Sequence, residues 1–271
     1  MPRVVLITGS TDGIGRALAR QLAAGGMTVL VPGRSKTKVD LAVAKLREEL
    51  PGANLEGVAF DLGSIAGARR GAERVLAAAP ELHVLVNNAG IFAQERVLNG
   101  DGLETTFAVN YMGPFVLTEL LASRLIESGQ GIPSRVIDVA SVAHTRGRIH
   151  VDDLQLADSW TGYAAYAQSK LALVMHAMSV AEKRDPTQLV AYSLHPGVIA
   201  TKLLRQGFGP VQGASVEQGA KAIAMLAGGE VVSEPSGSYF SDGVATPPSV
   251  AARDPAVREA LWSAATRLAK L

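Results

Sequence analysis

The chain has 271 residues, of which 48% are hydrophobic and 19% charged, and 26 basic residues face 25 acidic ones for a net charge of +1. That balance excludes a disordered polyelectrolyte and argues against nucleic acid as a partner. The absence of cysteine excludes a disulfide scaffold, a thiolate zinc site and a thiol nucleophile. Length alone leaves one or two domains open. Met1-Pro2-Arg3 runs at once into Val4-Val5-Leu6-Ile7-Thr8, without the charged and long apolar regions of a signal peptide. No window reaches the roughly 18 uninterrupted apolar residues of a membrane span. A cytoplasmic protein without a membrane anchor is therefore expected.

Short apolar runs bounded by Gly, Pro, Asn or Asp alternate with longer segments of helical period. In chain order, strands are expected at Val4–Thr8, Thr28–Val31, Val58–Phe60, Val84–Asn87, Val136–Ala140 and Leu189–Leu194. Helices are expected at Gly15–Ala24, Lys36–Leu50, Ser64–Ala79, Leu103–Glu127, Tyr163–Arg184, Val216–Ala227 and Pro255–Lys270. Strands rich in Val, Ile and Leu on both faces suit a parallel sheet covered by helices. Repeated βα units predict an α/β, doubly wound fold. An eightfold βα barrel would need two more strands than this pattern supplies. No Ser/Gly-rich or Pro-rich linker and no internal repeat divides the chain, so residues 1–271 read as one domain. The stretch 197–215, with Gly197, Gly207, Gly209, Pro210 and Gly213, reads as a mobile loop.

The first βα turn is Thr8-Gly9-Ser10-Thr11-Asp12-Gly13-Ile14-Gly15, spaced Gly-x3-Gly-x-Gly. Glycines there permit a sharp turn and let backbone N–H groups approach a pyrophosphate, whose charge the following helix N-terminus favours. Gly-rich turns are common, so the motif is weak alone. Tyr166 and Lys170 lie four apart in a helical segment and share a face. A phenol with a pKa near 10 is a poor acid–base group at neutral pH, and a nearby ammonium lowers that pKa. Tyr163 is a rival, but the residue four later is Ala167. A helix tyrosine without such a partner is usually a core-edge residue. Ser141, at a strand's carboxyl end, and Asn110, in a helical segment, would ordinarily read as a turn former and a helix polar residue. The five histidines have no ligand spacing, and no metal is expected.

In motif order the chain resembles the classical short-chain dehydrogenases/reductases over nearly its whole length. Thr8–Gly15 is similar to their cofactor loop, Asn87-Asn88-Ala89-Gly90 to their second signature, and Tyr166-Ala167-Gln168-Ser169-Lys170 to their Tyr-x3-Lys. Asn110, Ser141 and His195-Pro196-Gly197 with Thr201 fall in the right order. Gly237-Ser238-Tyr239-Phe240-Ser241-Asp242-Gly243, Leu261-Trp262 and Ser141-Val142-Ala143-His144 resemble the retinol-dehydrogenase-like and WW-domain-oxidoreductase-like branch. The resemblance implies a single doubly wound Rossmann domain, with a mainly parallel seven-stranded sheet and helices on both faces. It implies hydride transfer between a nicotinamide and a carbonyl or alcohol carbon. Tyr166 would pass the proton, Ser141 would polarise the substrate oxygen, Lys170 would bind the nicotinamide ribose, and Asn110 would help hold a water. Further cofactor contacts are implied at Gly9, Ser10, Gly13, Ile14, Gly15, Asp61, Leu62, Asn87, Ala89, Gly90, Pro196, Gly197, Val198 and Thr201. The expected role of His195 is structural.

NAD-preferring members carry an acid at the end of the second strand, where this chain has Gly33 followed by Arg34. A guanidinium suits the 2′-phosphate, so NADP(H) is expected in preference to NAD(H). Asp12 counts against this, at a position where some NADP-dependent members carry a base. The branch implies a bulky apolar carbonyl or alcohol substrate, with Phe92, Ala143, His144, Tyr163 and Phe208 as candidate pocket walls. Each could equally be ordinary packing. A catalytically silent NAD(P)-binding regulatory protein is the alternative, favoured by a broken tetrad; here Asn110, Ser141, Tyr166 and Lys170 are all present. An extended-type sugar-nucleotide epimerase would need a further substrate domain, which the sequence after Leu194 does not show. Homo-oligomer and monomer both stay open.

Overall fold

A computed structural model describes residues 2–228 and 232–271. In chain order its strands are β1 (Val4–Ile7), β2 (Thr28–Gly33), β3 (Leu55–Ala59), β4 (Val84–Asn87), β5 (Ser134–Val139), β6 (Leu189–His195), β7 (Tyr239–Ser241) and β8 (Val244–Ala245). Its helices are α1 (Gly13–Ala24), α2 (Lys36–Glu49), α3 (Ile65–Ala78), α4 (Thr105–Phe107), α5 (Gly113–Ser128), α6 (Gly162–Lys183), α7 (Lys202–Phe208), α8 (Val216–Ala227) and α9 (Pro255–Ala269).

Side-chain parity along the strands builds the layers. Val4 and Leu6 of β1 join one apolar layer, Val5 and Ile7 the other. The first layer is closed by α3, α5, α6 and α9, and the second by α1, α2 and α8. Each such strand residue is shielded on its own face, worth about 1.5–3 kcal/mol per fully buried aliphatic side chain. The sheet runs β3-β2-β1-β4-β5-β6-β7-β8, parallel from β3 through β7. β1 pairs with both β2 and β4, so the order reverses there and a crevice opens beyond the carboxyl ends of the two strands. Among the described residues no helix is long and apolar enough to cross a membrane.

The six strands expected from the sequence are present, β7 completes the seven-stranded parallel sheet the resemblance implies, and a short eighth strand extends it. β8 pairs antiparallel to β7 through Asp242-Gly243, with φ of 50° and 82°. That is the left-handed turn an Asp-Gly hairpin favours. The expected Leu103–Glu127 helix is not continuous. It starts at Thr105, capped by Glu104 Oε2 accepting from Phe107 N at 2.8 Å, and passes through a π-helical turn at Ala108–Met112. The loop at 197–215 contains α7, capped by Thr201 Oγ1 accepting from Leu204 N at 3.1 Å.

Candidate active site

The ends of β1 and β4 are tied by one hydroxyl. Thr8 Oγ1 accepts from Asn88 N and Ala89 N, both at 2.9 Å, and donates to Val86 O at 3.2 Å. Asn88 Nδ2 donates to Thr8 O at 2.8 Å. Beyond this knot the chain turns at Gly9 with φ of +71°, and a β-carbon on Gly15 would stand 2.4 Å from Gly9 O. Only glycines allow that fold-back, which leaves bare backbone at the N-terminus of α1 facing the crevice.

A cleft of about 1880 Å³ follows the strand ends. It is lined by Gly9, Gly13, Ile14, Gly15, Arg34, Asp61, Leu62, Ala89, Gly90, Pro196, Gly197, Val198 and Thr201, as expected for cofactor contacts, and by Ser141, Tyr166 and Lys170. Two expected cofactor residues stand elsewhere. Asn87 is fully buried behind the strand ends, where Nδ2 donates to Asp138 Oδ1 at 2.8 Å and Thr118 Oγ1 at 3.3 Å. Parity sends its side chain into the helix layer, and Asn88 faces the cleft instead. Ser10 is fully buried, and its hydroxyl has no partner among the described residues.

Tyr166 and Lys170 project from α6 toward Ser141, at the end of β5. Ser141 hydrogen-bonds the Tyr166 hydroxyl. Burial pushes the phenol up to about 12, and the Ser141 bond offsets part of that shift. The expected lowering is therefore not present in the protein alone. Lys170 sits with Nζ 5.7 Å from the phenol ring centroid and is itself brought down to about 8 by burial, with Asp138 acting against the fall. Its ammonium donates to Val139 O at 2.7 Å. Asn110 lies in the π-helical turn and does not line the cleft. Its Oδ1 accepts from Ile91 N at 2.8 Å, and its Nδ2 donates to Ile91 O and Ser169 Oγ, both at 3.0 Å. Its amide braces the end of β4 against α6. A β-carbon on Gly90 would stand 3.5 Å from Lys170 Nζ and 3.6 Å from Asn110 Oδ1, so these three residues converge.

Of the candidate pocket walls, Ala143, Tyr163 and Phe208 line the cleft. Phe92 stands behind them, its ring 5.4 Å from Tyr166 and 5.6 Å from Phe208. His144 faces away. Ser249 N donates to its Nε2 at 3.2 Å, so Nδ1 carries the proton and donates to Ser141 O at 2.8 Å. Burial lowers its pKa, in keeping with that neutral ring. His195 lines the cleft, and burial lowers its pKa too.

At the opposite end Arg34 and Lys38 line the cleft in the open, without an ion pair among the described residues. Asp12 caps α1 and pairs with Lys202 at 2.6 Å, so its charge is already answered. Sequence reasoning passed over Thr8, Lys38 and Lys202. Thr8 sat in view inside the glycine motif, whereas nothing local marks Lys202 as the partner of Asp12. No cluster of three metal-ligating side chains exists among the described residues.

Residues 3–208 match the short chain dehydrogenase family. Retinol dehydrogenase 12 of Mus musculus is 35% identical, over 98% of this chain and 86% of its own. Polyprenol dehydrogenase of Mus musculus is 35% identical, over 98% of this chain and 83% of its own. Among solved structures, an uncharacterised protein from Mycobacterium Paratuberculosis superposes with a TM-score of 0.80 at 29% identity, covering 99% of this chain and 93% of that one. The fold is also shared by a gluconate 5-dehydrogenase from Burkholderia cenocepacia J2315 in complex with NADP and tartrate, with a TM-score of 0.68, 24% identity and 89% and 94% coverage. A 3-ketoacyl-(acyl-carrier-protein) reductase from Brucella melitensis complexed with NADH gives 0.70, 22% identity and 89% and 98% coverage.

Proposed function

Because this chain belongs to the short-chain dehydrogenase family, we propose that it is an NADP(H)-dependent oxidoreductase interconverting a carbonyl and an alcohol on a bulky apolar small molecule. The observation that carries the reading is the convergence of Ser141, Tyr166 and Lys170 where the cleft is most buried. The glycine cradle fits a dinucleotide, since β-carbons at Gly9 and Gly15 would collide with Ala89, Asn88 and Gly9 O, and only glycines fold the turn that leaves bare backbone before α1. When bound there, the nicotinamide supplies or accepts the hydride. Gly13, Ile14 and Thr201 would line the pyrophosphate stretch, and Asp61 and Leu62 the adenine end. Arg34 would meet a 2′-phosphate, with Lys38 beside it.

Burial keeps Tyr166 protonated in the free protein, so it can donate to a developing alkoxide, and efficient transfer needs the Lys170 ammonium to bring its pKa back down. Ser141 orients the substrate oxygen beside that hydroxyl. The Lys170 ammonium stabilises the phenolate that remains after transfer. Tyr163, Phe208 and Ala143 offer an apolar wall at the same place, and the names of the retinol and polyprenol relatives support an apolar substrate. The reading takes the whole chain as one catalytic domain, with 197–215 as its substrate loop. The test is a screen of ketones and aldehydes, following loss of near-ultraviolet absorbance with NADPH and, in parallel, NADH. Turnover with NADPH at lower KM is expected. A lower KM for NADH would overturn the cofactor assignment, and no turnover with any carbonyl or alcohol would overturn the activity.

A further inference from the structure

Helix α7 lines the apolar end of the cleft with Leu203 and Phe208, yet none of its seven residues is buried. A helix this short is marginal in water by itself, so its place is set by what it rests on. At one end Lys202 pairs with Asp12 at 2.6 Å, and near the other Gln206 O accepts from Gln94 Nε2 at 2.8 Å. Leu203 packs against the small cluster around Tyr166, and Gly207 lies on the ring of Phe92. We propose that Phe92 is a positioning residue that fixes the height of α7 over Tyr166, and through it the bulk of the carbonyl substrate that the cleft admits. This rests on Tyr166 being the group that meets the substrate oxygen.

The contact leaves no slack. A β-carbon on Gly207 would stand 2.5 Å from Phe92 Cδ2 and 2.9 Å from both Cγ and Cε2. Carbons in ordinary contact stand about 3.5–4.0 Å apart, so a methyl there must displace either the ring or the helix. The ring is held from a second side. A β-carbon on Gly162, the first residue of α6, would stand 2.7 Å from Phe92 Cε1 and 2.6 Å from Ala93 O. That end of α6 is fixed by Thr161 Oγ1, which accepts from Ala164 N at 3.0 Å. The ring of Tyr166, one turn further on, stands 5.4 Å from that of Phe92. Phe92 is thus wedged between α6 and α7. Helix α6 is buried along most of its length and α7 nowhere, so α7 is the element that yields.

Phe208 carries the consequence into the pocket. It follows Gly207 directly and lines the cleft, which Phe92 itself does not. Its ring stands 6.0 Å from that of Tyr166 and 6.1 Å from that of Tyr163. Lifting α7 by about 1 Å, enough to relieve an added methyl, draws this wall away from the reacting hydroxyl.

The test is a double-substitution cycle of Gly207→Ala and Phe92→Ala in the full chain. Alanine is the better helix former, so propensity by itself would tighten α7, and only a clash would loosen it. The first readout is tryptic cleavage after Arg205, an exposed residue of α7, whose rate follows the opening of that helix. Gly207→Ala alone should speed cleavage about tenfold; beside Phe92→Ala, where the methyl has room, it should not speed it at all. The second readout is the ratio of kcat/KM with NADPH for benzophenone, which has a ring on each side of the carbonyl, to that for acetophenone, or for the bulkiest and smallest ketones that turn over. Gly207→Ala alone should raise this ratio about tenfold, and should leave it unchanged beside Phe92→Ala. The same effect of Gly207→Ala in both backgrounds, or no effect in either, overturns the proposal. Coupled cleavage with an unmoved ratio overturns the role in substrate choice and leaves the ring as packing. Coupled cleavage in a protein that turns over no carbonyl upholds the hold of Phe92 on α7 and sinks the activity reading instead. Should Phe92→Ala not fold, Phe92→Val, which also lacks Cδ2 and Cε2, takes its place in the cycle.

Discussion

At one end of the cleft Tyr166 and Lys170 are 5% and 3% exposed, each held by named partners; at the other, Arg34 and Lys38 stand in water. The first arrangement spends desolvation to shift pKa values and fix geometry before any ligand arrives. The second leaves its charge solvated, so that a ligand phosphate can claim it cheaply, at the cost of screening by salt. In the proposed reading, chemistry is prebuilt in the buried end, and cofactor choice is left to the exposed one.

Four substitutions probe that contrast. Tyr166→Phe should lower kcat by about a thousandfold, within the range of general acid–base contributions, while the Kd for NADPH changes less than about twofold. Retained turnover would remove the buried end from the chemistry.

Lys170→Met should alter how stability depends on pH. In the folded chain Lys170 releases its proton near pH 8, whereas in the unfolded chain it does so near the ordinary 10.5. Between those values the unfolded state binds more protons, so the wild type gains stability as pH rises. Relative to Lys170→Met, that gain is on the order of 2–3 kcal/mol, measurable by urea unfolding across the window. Tyr166, raised to about 12 and so opposing this above pH 10, is common to both proteins and cancels. A constant difference across the window would mean that Lys170 is not desolvated.

Arg34→Ala should raise KM for NADPH about tenfold and leave KM for NADH unchanged, the gap shrinking at high salt. Equal losses for both cofactors would show that the exposed end does not read the 2′-phosphate. The smallest effect is expected for Asp12→Asn. An exposed ion pair is worth about 0–1 kcal/mol, so Tm should fall by no more than a few degrees. A larger drop would mean that the Asp12–Lys202 bridge fastens the loop over the cleft.

Much of the frame was legible because its signals are local. Five of the six expected strands carried two-faced apolar runs, and the Tyr166–Lys170 spacing needed only the helical period. Other features depended on neighbours distant in sequence. Asn87 and Asn88 are adjacent, and only strand parity in the assembled sheet decides that the first faces Asp138 and the second the cleft. His144 resembled a pocket wall until Ser249, 105 residues later, claimed its ring. The glycines flanking 202–208 concealed a helix seven residues long. The π-helical turn around Asn110 has no composition cue, because its extra residue is accommodated by tertiary contacts with Ile91 and Ser169.

Sequence by itself determined the α/β class and the order of the strands along the chain, and it named the candidate groups for moving a proton, since periodicity and side-chain chemistry are written residue by residue. Tertiary structure alone decided which of those groups are dry. Tyr166 at about 12, Lys170 near 8 and the closed contact between Asp138 and His176 all arise from how much water the packed layers exclude. Burial is a property of the assembled layers, and no run of neighbouring residues encodes it.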